Sequence, residues 1–343
     1  MKSNVARLRL EALEEREVPS TVTVTVTGIH VSAGGPHLLR IDITGDGANN
    51  SVTIEHDAPT TGRIRILAGS GTTLTNIVGG VPGAWVVTNT ATQLTIQPSG
   101  LSNNYVENVS VNMGGGNDVV ILKNLRATAG VFTQITGSLT VILGDGDDQL
   151  QVQNVEVKQN VSIYGGIGKD EVYYLAPAST DQNIVGGNLL VDLGLGNNIF
   201  TVTTPASTTT PNLEVKGGSV TILSAGGDDV VRFGNSTTST TSVSFKHSGP
   251  GATVIQTGGG KDRVLVQKAE FGITNIDTGG GDDRLRLQDA IFGLLVGLLG
   301  AGNDVVNLVG TSVFGGGSLI DGGPGSDSYT GTPPATLTLI SFP

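Results

Sequence analysis

RVLVQKAEFGITNIDTGGGDD (residues 263–283) runs straight into RLRLQDAIFGLLVGLLGAGND (residues 284–304). Laid one over the other, the two 21-residue segments share an Arg-led alternating strand, a Phe-Gly pair and a Gly-x-Gly-x-Asp turn. Phe271-Gly272 falls over Phe292-Gly293. The period-two alternation of RVLVQ and RLRLQ marks half-buried strands. Glycine lets the chain turn sharply at positive φ, and the Asp that follows can hydrogen-bond the turn's own backbone. A 21-residue unit has room for about three short strands and three turns, so repetition implies stacked coils. The expected architecture is an all-β, right-handed parallel β-helix of triangular coils, with like residues stacked about 4.8 Å apart.

The turn phrase recurs along most of the 343 residues. It stands at 114–118 (GGGND), 144–148 (GDGDD), 166–170 (GIGKD), 194–198 (GLGNN) and 225–229 (AGGDD), then at 258–262, 279–283, 300–304 and 323–327. Eroded copies lie at 45–50 (GDGANN) and 69–73 (GSGTT). The interval between Asp positions is 21 from Asp262 to Asp283 and from Asp283 to Asp304, and 23 to Asp327. Elsewhere it stretches to 30 (Asp118 to Asp148) and 33 (Asp229 to Asp262), the excess being Ser, Thr, Pro and Gly, as in 203–212 and 235–251. Such stretches read as loops leaving the coil. At about 24 residues per coil, residues 21–331 make roughly 13 coils of three strands and a rod of roughly 60 Å. Residues 332–343 leave the repeat as a tail or cap over an otherwise open β edge.

Composition agrees and narrows the function. Glycine is 52 of 343 residues, without a collagen period. The net charge of −11 repels nucleic acid and anionic lipid and attracts cations. There is no cysteine, so neither disulfides nor Cys-based zinc or redox sites exist. The most apolar run, AIFGLLVGLL (290–299), is half of what a membrane-spanning helix needs and reads as buried wall, leaving no transmembrane segment.

The first twenty residues differ. MKSNVARLRLEALEEREVPS reads as a short charged helix ended by Pro19, without the apolar core of an ordinary secretory signal. Its segment RLRLEALEEREVPS (7–20) resembles the N-terminal segment carried by large extracellular or surface proteins of planctomycete bacteria. That resemblance implies a targeting role for residues 1–20 and an extracellular or cell-surface location.

The turns admit two readings. In one they are glycine hinges and nothing more. In the other they bind calcium, because GGGNDVVIL (114–122), GGGDDRLRL (279–287), GAGNDVVNL (300–308) and GGPGSDSYT (322–330) resemble the haemolysin-type (RTX) repeat. The resemblance implies Ca²⁺ between stacked turns, with Asp118, Asp148, Asp170, Asp229, Asp262, Asp283, Asp304 and Asp327 as ligands. Ca²⁺ takes six to eight oxygens, of which a turn supplies part. Carboxylates stacked at strand spacing repel, and a cation would reverse that. The family's motif recurs every nine residues, whereas here it appears once per coil, and Asn198 replaces the acid in one turn.

No catalytic constellation is legible. The doublets Asp147-Asp148, Asp228-Asp229 and Asp282-Asp283 read as turns with an acidic x position, and Arg284 and Arg286 as one solvent face. His30, His37, His56 and His247 have no metal or nucleophile spacing and read as surface residues; Trp85 reads as core or cap. The expected function is a non-enzymatic structural or adhesive rod, monomeric, with extracellular polysaccharide or other surface proteins as partners. The alternative is a carbohydrate-binding or polysaccharide-degrading β-helix.

Overall fold

The computed structural model describes residues 20–30, 37–56, 63–80, 86–97, 105–126, 134–178, 180–203, 211–234, 243–245 and 251–343. Within them the fold is all-β, with 31 short strands, mostly in parallel register. The expected N-terminal helix lies outside the described residues, as do Trp85, His247 and the side chains of His30 and His37.

From residue 105 onward the coils lay down a strand before the glycine turn, a strand after it and a short third segment, which in the first coil is a single bridge at Ile135. The post-turn face runs Ser51–His56, Val119–Lys123, Gln149–Gln153, Glu171–Leu175, Ile199–Val202, Val230–Phe233, Arg263–Gln267, Arg284–Gln288, Val305–Val309 and Ser328–Thr330, each parallel to the next. The pre-turn face runs in parallel from His37–Thr44 through Tyr105–Asn112, Leu139–Asp145, Val161–Ile167, Leu189–Leu195 and Val220–Leu223 to Thr253–Gln256 and beyond. The short face stacks Glu156–Val157, Asn183–Val185, Leu213–Val215 and Val243–Phe245. In the two 21-residue coils the short and pre-turn strands join as Ala269–Asp277 and Ile291–Leu298, each pairing with both faces.

Alternation selects what goes inside. Val120, Leu150, Val172, Phe200, Val231, Val264, Leu285 and Val306 form one buried column on the post-turn face. Parallel register stacks like on like, so packing is set coil to neighbouring coil, as in other repeat arrays. Aromatic rings run through the core from Tyr174 by Phe200, Phe233, Phe271 and Phe292 to Phe314. Phe271 and Phe292 stack at 5.3 Å with planes 7° apart, in the register their matched segments imply.

The turns need glycine for a close approach as well as for φ. Gly281 has φ +138°, and a Cβ there would overlap the carbonyl oxygen of Gly260 in the coil before it. Another corner is tied by asparagines: Asn108 Oδ1 accepts from Ser138 N (2.8 Å), Asn160 Oδ1 from Asn188 N (2.9 Å), and Asn188 Oδ1 from Ser219 N (2.8 Å).

The N-terminal part is built differently. Ser20–His30 pairs antiparallel with His37–Thr44 and parallel with Thr72–Gly79. Ser51–His56 pairs antiparallel with Ile64–Ala68, which pairs antiparallel with Gln93–Ile96. The post-turn ladder therefore holds ten strands among the described residues, where an average interval over residues 21–331 gives roughly 13 coils. Ile64–Ala68, Gln93–Ile96 and Val86–Asn89 extend the post-turn sheet in antiparallel pairing instead of adding coils. The GSGTT turn at 69–73 passes from Ile64–Ala68 in the post-turn sheet to Thr72–Gly79 in the pre-turn sheet, the reverse of the direction in which the coil turns run. Buried Glu55 joins this block to the stack through ion pairs with Arg65 and Lys123. At the other end Leu337–Ile340 adds a parallel strand to Ser318–Asp321, and Phe342 packs against Tyr329. No helix among the described residues is long and apolar enough to cross a membrane.

Candidate functional site

The turn aspartates form a buried titratable column that repeats from coil to coil. Each sits at the first residue after the glycine turn, where the next strand begins. Asp118, Asp148, Asp170, Asp229, Asp262, Asp283, Asp304 and Asp327 are all buried, none more than 3 % exposed. A repeating ladder of buried carboxyls thus runs along the solenoid, a pattern compatible with calcium-binding turns.

One oxygen of each carboxyl is spoken for. Asp148 Oδ1 accepts from Asp118 N (2.7 Å), and Asp170 Oδ1 from Asp148 N (3.2 Å). Asp262, Asp283, Asp304 and Asp327 each accept from the Asp amide one coil earlier, all at 2.8 Å. The two levels without acid keep the rule: Asp170 N donates to Asn198 Oδ1 (2.8 Å), Asn198 N to Asp229 Oδ1 (2.7 Å), and Asn50 N to Asp118 Oδ1 (2.6 Å). The ladder is unbroken from Asn50 to Asp327, and every bond points the same way.

The other oxygen is different. Oδ2 of all eight aspartates is buried and accepts no hydrogen bond. It faces the residue five positions earlier: a Cβ on Gly165 would meet Asp170 Oδ2 at 2.5 Å, and one on Gly322 would meet Asp327 Oδ2 at 2.5 Å. In other coils that position is Met113, Leu143, Ser224, Thr257, Thr278 or Leu299. Ser224, Thr257 and Thr278 stand close enough to draw down the pKa of Asp229, Asp262 and Asp283. A hydroxyl has one hydrogen, however, and that of Thr278 goes to Leu299 O at 2.9 Å. At the Asn198 level the side chain instead offers a donor, Nδ2, to Ser224 Oγ (3.1 Å) and Gly194 O (3.4 Å).

An acceptor buried without a donor resists ionisation. Burial pushes Asp118 and Asp170 up to about 7, with the neighbouring Asp148 charge adding to it. Asp229, Asp262 and Asp304 rise to about 6 for the same reason, and Asp148 and Asp283 also rise. The amide bonds pull the other way in each case and do not overcome desolvation.

The acidic doublets divide between inside and outside. Asp147, Asp228 and Asp282 point outward and accept from the amide of the following coil: Lys169 N to Asp147 Oδ1 (2.8 Å), Lys261 N to Asp228 Oδ1 (2.8 Å), Asn303 N to Asp282 Oδ1 (3.0 Å). Asn117, Asn197 and Asn303 do the same for Asp147, Asp228 and Ser326. This second, exposed ladder runs opposite to the first. It was legible in the column one residue before each turn Asp, which alternates Asn, Asp and Lys at the repeat interval. It breaks at Lys169 and Lys261, because an ammonium group cannot accept. Since the two members of a doublet face apart, they form no carboxyl pair. His56, expected at the surface, is buried, because it ends a strand clamped between two neighbours.

For a hard cation the donors fit in kind: buried, unpartnered carboxylate oxygen at a regular spacing. In number each coil offers at most one buried turn carboxylate, and among the described residues no three His, Cys, Asp or Glu side chains converge. A cation there would complete its shell from backbone carbonyls and water. No family model, curated protein or solved structure matches this chain.

Proposed function

We propose that this chain is a non-enzymatic, extracellular or cell-surface β-solenoid whose role is mechanical: a rod that spaces or adheres, stiffened by calcium at its stacked turns. The observation that carries this reading is the row of eight buried Oδ2 atoms that accept no hydrogen bond, five of which face no hydroxyl. A divalent cation held by these oxygens would neutralise the row and cross-link neighbouring coils. Asp118, Asp148, Asp170, Asp229, Asp262, Asp283, Asp304 and Asp327 are the ligands in this proposal. The planctomycete-like segment at residues 7–20 and the RTX-like wording of the turns support the surface location and the metal.

Binding that favours the folded state must raise its stability. Calcium should therefore raise the melting temperature of the chelator-treated protein, and Asp283→Asn with Asp304→Asn should remove part of that rise. Titration calorimetry showing no uptake at millimolar calcium would reject the metal and leave the rod. The second reading, in which the turns are structural only, is favoured by Asn50 and Asn198, which keep the ladder bond without an acid. It expects a melting temperature indifferent to calcium. Small-angle scattering tests the rod itself, and a compact sphere would overturn it.

A further inference from the structure

The outward side of the post-turn face carries a cluster that neither ladder uses. In a chain of net charge −11, Arg232, Arg263, Arg284 and Arg286 all project from three consecutive strands of this face. Arg263 and Arg284 are in direct register, while Arg232 and Arg286 flank Leu265 in the adjoining outward column. Like charges side by side on neighbouring strands are destabilising. The repeat does not require them, since the Arg263 and Arg284 column holds Ile199, Val230 and Val305 in other coils.

Nor does the protein neutralise them. Among the described residues Arg232, Arg263 and Arg284 have no ion pair, Arg232 Nε is buried without a hydrogen-bond acceptor, and Arg286 bonds only neutral Gln288 (2.9 Å). The outward positions of this face from Ile199 to Thr330 include no acidic side chain. Arg232, Gly234, Leu265, Gln267, Arg286 and Gln288 line a shallow, open groove of about 210 Å³. That is too small to enclose a compact ligand, which takes roughly 300–1,000 Å³.

We propose that this arginine strip binds a linear anionic polysaccharide. Guanidinium forks match carboxylate or sulfate groups in bidentate geometry. The amide nitrogen of Gln288, whose oxygen accepts from Arg286, offers a donor to sugar hydroxyls. A straight strip that repeats its charge from coil to coil suits a polymer that repeats its own. Nucleic acid is disfavoured by the chain's overall charge, and the outward positions of these three strands carry no aromatic ring on which a base could stack. The proposal gives the rod a ligand and rests on the rod reading only for the continuity of the face; it does not depend on calcium.

The test is affinity electrophoresis and calorimetry of the full chain with polygalacturonate, dextran sulfate, neutral dextran and a single-stranded oligonucleotide. One or both anionic polysaccharides should bind, neutral dextran should not, and added salt should weaken binding. Arg263→Gln, Arg284→Gln and Arg286→Gln together should weaken it by about tenfold or more for each bidentate fork removed. Because these side chains are exposed and mutually repulsive, the triple variant should melt no lower than the parent. Should it fail to fold, Arg263→Lys with Arg284→Lys keeps the charge, removes the forks and should still lose affinity. Failure of both polyanions to bind, undiminished binding by the folded variant, or equal binding of the oligonucleotide would overturn the proposal. A failure of the rod reading would appear separately, in the scattering profile.

Discussion

Residues 20–97 and residues 263–330 both contain glycine-rich turns between alternating strands, yet one region doubles back on itself and the other climbs. In the C-terminal region each turn ends in a buried Asp whose Oδ1 takes the amide of the coil below, which fixes where the next strand must start. In the N-terminal region the GSGTT turn has no such acid: Thr72 N bonds Gly69 O within the turn, and the turn is tied to its neighbours by Gly69 N to Ser51 O, Ser51 N to Thr72 Oγ1 and Ser20 N to Gly71 O. The strand before it has an antiparallel partner and the strand after it a parallel one. The C-terminal coil turns instead repeat one carboxyl-to-amide bond at every level, and every strand they lead into is parallel.

The largest expected effect contrasts two glycines of positive φ. Gly71 (φ +80°) has open space where a Cβ would go, whereas at Gly281 (φ +138°) the Cβ would overlap a neighbouring carbonyl. Gly71→Ala should cost about 1–2 kcal/mol, from backbone strain alone. Gly281→Ala adds steric overlap and should cost roughly 2–6 kcal/mol. Urea unfolding of the two variants reads the difference, and equal costs would break the contrast.

Next comes the ladder bond itself. Asp283→Ala leaves the buried Asp262 amide without its acceptor and should cost about 1–3 kcal/mol, while Asp283→Asn keeps an Oδ1 in place and should cost much less. Loss of equal size in both would mean that the charge, and not the bond, matters.

The pH dependence has a definite sign. Asp118 and Asp170 titrate near 7 in the folded chain against an ordinary value of 3.8. Between about pH 4 and pH 7 the folded state therefore holds more protons than the unfolded one, and stability falls as pH rises through that window. In chelator the melting temperature should drop from pH 4 to pH 8, and Asp118→Asn with Asp170→Asn should flatten the drop. A melting temperature that rises with pH would contradict the burial of these carboxyls.

The smallest effect is on the outside. Asp282→Asn preserves the acceptor for Asn303 N on an exposed turn and should leave the melting temperature unchanged within scatter.

The coil was legible wherever the chain repeats itself at fixed spacing, as Phe271 over Phe292 illustrates. Strand direction was not. TVTVTVT (21–27) alternates as cleanly as any coil strand, but alternation fixes only which side chains are buried, and a two-residue period is the same for parallel and antiparallel partners. At the site, the aspartates could be named from the turn phrase. Their inward aim follows from alternation, since Asp283 stands two residues before buried Leu285 and four before buried Leu287, but the bond each carboxyl makes to the preceding coil needed the stacking. The arginine cluster was visible as alternating residues, but its in-register crowding across Arg263 and Arg284 needed the strand pairing.

The inner ladder gives every rung from Asn50 to Asp327 the same demand, one amide reaching forward to the side chain of the next. Any rung can therefore sit on any other, and the stack works as a ruler whose length is set by how many units the gene encodes. A second copy of residues 284–304 spliced in after Asp304 would meet a matching rung above and below, lengthening the ruler by one division of about 4.8 Å while leaving both ends as they are.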